Sequence, residues 1–136
     1  MPQTDTEALH ETFSLAADRA SAAEARHRSR SWLARHAVAG QAAETVVLVV
    51  SELVSNAVMH SGSSLITCTL TIGGSLLRVE VTDQGTGRTV PVVRHAAADE
   101  MTGRGLLLVS AVSQAWGASP AIPQGWTVWA TVRTTV

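Results

Sequence analysis

The chain has 136 residues, a size that holds one domain with its own core, and a formal charge of −1 at pH 7, which disfavours electrostatic capture of nucleic acid or an anionic membrane. Hydrophobic residues make up 46% and charged residues 15%, a globular composition. All ten basic residues are arginine, which excludes chemistry that needs a lysine, whether a P-loop contact or a Schiff base. Cys68, the single cysteine, allows neither an intrachain disulfide nor a cysteine-held metal cluster and is expected in the core. Met1 to Glu11 contains no apolar run, and nowhere do about 18 consecutive apolar residues occur, so a cytoplasmic protein is expected.

Residues 1–10 read as a flexible tail and residues 11–136 as the domain. Glu11 to Leu15 alternates Phe13 and Leu15 with Thr12 and Ser14, a short edge strand. Asp18 to Ala37 is rich in alanine and arginine and predicts a helix, with Trp32 and Leu33 opposite Arg26, Arg30 and Arg35. Gly40 breaks it, and a mostly buried second helix runs from Ala42 to His60 through Val46, Val47, Val50, Leu53, Val54, Ala57 and Val58. Ser61-Gly62 reads as its stop, with His60 favoured there by the helix dipole.

Leu65 to Ile72 alternates strictly, Ile66, Cys68, Leu70 and Ile72 against Thr67, Thr69 and Thr71, which predicts a half-exposed strand. Gly73-Gly74 then signals a two-residue hairpin, and the return strand places Leu77, Val79 and Val81 on its apolar face. The same period carries Asp83 onto that face. Gly85 to Thr102 has neither period and predicts a lid. A third helix is expected over Leu106 to Ala115 and a closing strand over Trp126 to Arg133. This order predicts an α+β two-layer sandwich, its sheet mixed but mostly antiparallel and its helices on one face. Trp129 alternates with Val128 and Ala130, so it is expected exposed on the outer face of the sheet, marking a contact with a homodimer mate or another partner.

Three short motifs carry the chemistry. Glu52 and Asn56 interrupt the valine-rich helix four residues apart and share a face with Leu48 and His60. Such a stripe is either a solvated face or a polar site, in which an amide oxygen is a sufficient protein ligand for magnesium and a carboxylate one turn away orients or deprotonates a hydroxyl. Asp83, on a buried face at a strand end, must find donors, either those of the turn that Gly85 follows or an outside donor such as the amine of adenine. Gly103-Arg104-Gly105 before a helix offers free backbone N–H groups to an anion, with Arg104 either exposed or on a phosphate.

Glu52 to Ala57 (Glu-x-x-x-Asn-Ala), Asp83 to Gly87 (Asp-x-Gly-x-Gly) and Gly103 to Leu106 (Gly-x-Gly-Leu) resemble the N, G1 and G2 boxes of the gyrase, Hsp90, histidine kinase and MutL ATPase superfamily. The similarity covers the chain from about Phe13 onward, and within the superfamily it looks most like the small bacterial anti-sigma factor serine kinases. The resemblance implies ATP and Mg2+ as cofactors, an α/β sandwich, a sigma factor as partner, and phosphorylation of a serine or threonine on an anti-sigma factor antagonist. It implies adenine recognition by Asp83 with Gly85 and Gly87, magnesium on Asn56, phosphate contacts around Gly103, Arg104, Gly105 and Leu106, and Glu52 as general base. One departure lies at Gly125-Trp126, where relatives often carry Gly-Lys. The competing reading is a non-catalytic ATP-binding module that regulates a partner.

Overall fold

A computed structural model describes residues 9–60, 65–85, 101–122 and 124–134, with the backbone alone for residue 60 and residues 101–104. The order is β1 (Leu9–Ala16), α1 (Ser21–Arg35), α2 (Gly40–His60), β2 (Leu65–Gly73), β3 (Leu76–Asp83), α3 (Met101–Val112), β4 (Ala115–Pro120) and β5 (Trp126–Arg133). The five strands form one sheet in the order β1-β2-β3-β5-β4, and every pairing is antiparallel. The predicted α+β two-layer architecture is the one observed. No parallel pair occurs among the described strands.

Period-two alternation determines what each layer sees. Phe13 and Leu15 of β1, Ile66, Cys68 and Leu70 of β2, Leu77, Val79 and Val81 of β3, and Val128, Ala130 and Val132 of β5 are all buried on the helix side. From α2, Val46, Val47, Val49, Val50, Leu53 and Val54 meet them, while Trp32 and Leu33 of α1 and Leu106 and Val109 of α3 complete one core. By length and hydropathy α2 could cross a membrane, yet its valines are used on the sheet and on α1. Arg26 Nη1 donates to Ser51 Oγ at 2.9 Å and ties α1 to α2.

Cys68 lies inside this core as expected, and burial pushes its thiol up to about 12. The native thiol should therefore resist a thiol reagent at pH 8 and react only on unfolding. Because its pKa rises on folding, its contribution to stability is complete below about 9 and is lost as pH climbs towards about 12. Rapid labelling of the folded protein would contradict this placement.

Several boundaries differ from the sequence reading. β1 begins at Leu9, so Leu9 and His10 are paired strand residues facing Ile72 and Thr71 and not part of a tail. The hairpin turn is Gly74-Ser75, one residue later than expected, and Gly74 at φ +60° supplies the first central residue of a type II′ turn. α3 starts at Met101, five residues before Leu106, so Gly103 and Gly105 are helical and not a preceding turn. β4 was not foreseen. Most of the expected lid lies outside the described residues.

The outer face is largely hydroxylated: Thr12 meets Thr69 at 3.1 Å, Ser14 meets Thr67 at 3.4 Å and Thr82 meets Thr127 at 2.8 Å. Trp129 is on this face, as the alternation requires, but it is half-buried. The Arg78 guanidinium lies 4.3 Å from its ring centroid, and Gly117 leaves room for the ring on the neighbouring strand. Arg78 is held in turn by Glu80 at 2.7 Å. The chain covers this tryptophan itself, which corrects the expectation of an exposed aromatic that calls for a second chain.

Candidate functional site

Four polar residues are buried among the described ones: Ser21, Ser29, Asn56 and Asp83. Ser21 is explained locally by bonds to the Ala16 carbonyl and Asp18. Asn56 and Asp83 are the two motif residues that sequence reasoning places in a pocket.

Asp83 ends β3 on the helix face, 9% exposed. Its Oδ1 accepts from the Gly85 N–H at 2.9 Å and from the Trp126 N–H at 3.4 Å. The turn-capping role is therefore real, but it occupies a single oxygen. Oδ2 has no hydrogen-bond partner among the described residues. A cavity of about 270 Å³ adjoins this strand end, lined by Thr82, Asp83, Gln84, Ala121, Ile122 and Gln124. A carboxylate fixed by one oxygen and open at the other can recognise an external donor without reorganising.

The segment between β4 and β5 clamps this strand end. Gln124 Nε2 donates to the Gln84 carbonyl at 2.9 Å. Gly125 has φ +92°, and a Cβ there would fall 2.1 Å from the Asp83 carbonyl oxygen and 2.8 Å from Oδ1. Glycine is thus required by both conformation and space. Sequence reasoning noted Gly125-Trp126 only as a departure and missed its contact with Asp83. Glycine before an alternating strand was the available signal.

Asn56 is 7% exposed, and its amide has no partner among the described residues. One turn earlier on the same helix face, Glu52 is half-buried and likewise without a hydrogen bond. Its carboxylate lies against α3, where a Cβ on Gly105 would sit 2.6 Å from Oε1. Gly105 is therefore the small residue that seats Glu52 between the helices. It is also a correction. In a helix that starts at Met101 the free N–H groups within it belong to residues 101–103, so Gly103 retains a backbone donor for an anion while Arg104, Gly105 and Leu106 do not. Leu106, 1% exposed, is core. Gly85 is buried and donates to Asp83; Gly87 and the side chains of His60 and Arg104 lie outside the described residues.

Gly105→Ala tests the seat. The clash is with the end of a flexible side chain, and alanine is favoured over glycine within a helix by about 1 kcal/mol, so the melting temperature should hold or rise slightly. Any activity that depends on the Glu52 carboxylate should fall by about tenfold or more as it is displaced. A variant that melts well below the parent would show that the two helices, and not the side chain, take the strain.

A larger cavity, about 430 Å³, lies at the opposite end of α2 and α3, lined in part by Gln41, Thr45, Gln114 and Arg133. It contains none of the motif residues. No group of three or more histidine, cysteine, aspartate or glutamate residues suited to a metal occurs among the described residues. Asn56 alone fits a metal that keeps most of its waters and takes its other ligands from phosphate, which is how magnesium binds with nucleotides.

A buried carboxylate with one oxygen unpartnered among the described residues, a buried amide likewise unpartnered among them and a helix N-terminus lie between three helices and an antiparallel sheet, an arrangement suited to a nucleotide. The model of the histidine kinase-like ATPase domain matches residues 15–132, and the chain belongs to that family. Among solved structures, the chain resembles the SiaB–SiaC complex from Pseudomonas aeruginosa with a TM-score of 0.69 at 17% identity, covering 95% of this chain and 93% of that one. It also resembles the RsbU and RsbW domains of Rv1364c from Mycobacterium tuberculosis, with a TM-score of 0.68 at 22% identity over 92% of this chain. It spans 32% of the length of that Mycobacterium chain. These likenesses establish the fold. No curated protein matches the chain.

Proposed function

We propose that this chain is a cytoplasmic ATP-dependent serine/threonine protein kinase that phosphorylates an anti-sigma factor antagonist and binds a sigma factor. The observation that carries the nucleotide reading is Asp83, held through Oδ1 by two backbone N–H groups, with no partner for Oδ2 among the described residues. The partner reading draws support from the family's match and from a neighbour solved as a two-protein complex, SiaB with SiaC. A homodimer is not part of this proposal, since Arg78 already covers the tryptophan that pointed to one.

ATP, when bound with magnesium, supplies the transferable phosphoryl group and the charge neutralisation that transfer needs. The chain's own residues do the rest. Asp83 Oδ2 accepts from the exocyclic amine of adenine, and the free N–H groups at the start of α3 receive phosphate oxygens. Asn56 offers its amide oxygen to the metal. Glu52, one turn from Asn56, takes the proton of the attacking hydroxyl.

Titration of Asp83→Asn with ATP tests the adenine assignment. The asparagine oxygen is required where Oδ1 accepts from Gly85 and Trp126, which turns the NH₂ towards the adenine amine. If the amide flips, two donors face the backbone instead, so either orientation opposes donors in a buried place. Affinity should fall by about 1.5–3 kcal/mol, at least about tenfold, with the fold intact. Unchanged ATP affinity would remove the adenine role of Asp83 and with it the pocket.

A further inference from the structure

A surface helix keeps a polar side for water, and α3 lacks one over its second half. From Gly105 to Val112 the sequence runs Gly-Leu-Leu-Leu-Val-Ser-Ala-Val, without a charged residue. Leu106 and Val109 turn into the core, 1% and 0% exposed. Leu108 and Val112, one turn apart on another face, stay 40% and 37% exposed, and Ala111 beside them is exposed too. A helix that is apolar on every side is normally buried on every side, so the outer face of α3 calls for cover that the described residues do not give.

The cavity beside this face indicates the chemistry of that cover. Ala111 and Val112 also line the cavity of about 430 Å³ at the far end of α2 and α3, and Ala42 of α2 and Val132 of β5 continue its apolar lining. The apolar ridge thus runs into a concave seat. Arg133 is the only charged residue of that lining, is exposed, and makes no ion pair among the described residues. Neutral amide and hydroxyl side chains make up the rest. Aliphatic contact on one side and an unpaired cation on the other complement a segment that carries aliphatic side chains and a carboxylate, and oppose a basic one.

We propose that Leu108, Val112 and the cavity edged by Arg133 form a docking surface for an amphipathic acidic segment of a partner protein, its aliphatic side chains on α3 and its carboxylate on Arg133. A ligand confined to the cavity would leave Leu108 uncovered, because that residue lies outside the lining, whereas a protein segment spans both. The surface shares no residue with the candidate nucleotide site, so it stands independently of the nucleotide reading.

The test is selection of a displayed library of random peptides on the immobilised parent, followed by titration of the enriched peptides. They should combine aliphatic residues with aspartate or glutamate, and should bind Arg133→Gln and Leu108→Ser about tenfold more weakly than the parent. Both positions are exposed, so neither change should disturb the fold. Arg133→Glu, taken through the same selection, should enrich peptides with lysine or arginine in place of the acid. A second measurement needs no variant. In the ¹⁵N-labelled parent an enriched peptide should move the amide resonances of Leu108, Val112 and Arg133 and leave that of Gly85, beside Asp83, in place. Failure to enrich, enriched peptides without an acidic preference, equal affinity for the parent and both variants, or resonance shifts confined to other residues would each overturn the proposal. None of these touches ATP binding, and a parent that binds no ATP would remove the nucleotide reading while leaving this surface standing, so the two failures are distinct.

Discussion

Glu52→Gln should leave ATP affinity within about threefold of the parent and lower phosphoryl transfer by about a hundredfold or more, the range for losing a positioned general base. The substitution keeps the length and shape of a side chain that Gly105 seats between α2 and α3, so packing there is undisturbed. Only the ability to accept a proton goes. No hydrogen bond from a described residue neutralises or orients that carboxylate in the free protein, which leaves it available to a substrate hydroxyl. Single-turnover transfer from labelled ATP to a co-purified partner, beside an ATP titration of the same preparation, reads both quantities. Transfer at the parental rate would show that Glu52 is not the base and would favour the non-catalytic module, in which nucleotide only shapes a partner surface.

What the sequence revealed and what it concealed follow from how local each signal is. β2 and β3 were legible because one face is buried and the other faces solvent, which enforces alternation from Leu65 to Asp83. Asp83 was legible for the same reason, as a polar residue on the buried phase. The hairpin slipped by one because Gly73 and Gly74 both suit a turn, and the choice was made by the ladder that pairs Gly73 with Leu76. β4 was hidden because its centre is Gly117 and its last residue Pro120, two residues that weaken strand assignment, and it is an edge strand whose only pairing is to β5.

The start of α3 was misplaced for a different reason. Two glycines normally argue for a turn, but at Gly105 the missing side chain makes room for Glu52 from another helix. That tertiary need outweighs the local preference. The three motifs were readable as a set, yet Gly125, which packs on Asp83, and Trp126, whose backbone N–H holds it, depend on contacts made across the sheet, and the glycine before an alternating strand was their one local signal.

Gly125→Ala should be the most damaging single methyl in the described part of the chain. Two costs act together: the residue sits at φ +92°, where an L side chain is strained, and its Cβ would lie 2.1 Å from the Asp83 carbonyl oxygen and 2.8 Å from the carbonyl carbon and Oδ1. The nearest obstacle is backbone of a central strand, which cannot swing aside as the Glu52 side chain can. Strain and overpacking of this kind cost about 1–3 kcal/mol each, so a loss of about 3 kcal/mol or more is expected, with a melting temperature lower by about 10 °C. The relief available is to push Asp83 away, which breaks its bonds from Gly85 and Trp126 and should abolish ATP binding well below the melting point. Gly74→Ala separates the two causes. It has a similar positive φ of +60° but nothing within 4 Å of the added Cβ, so it should cost only about 1 kcal/mol and leave ATP affinity alone. Equal losses in the two variants would mean that backbone conformation alone matters, and a Gly125→Ala protein that melts and binds ATP like the parent would show that the β4–β5 segment does not hold Asp83 in place.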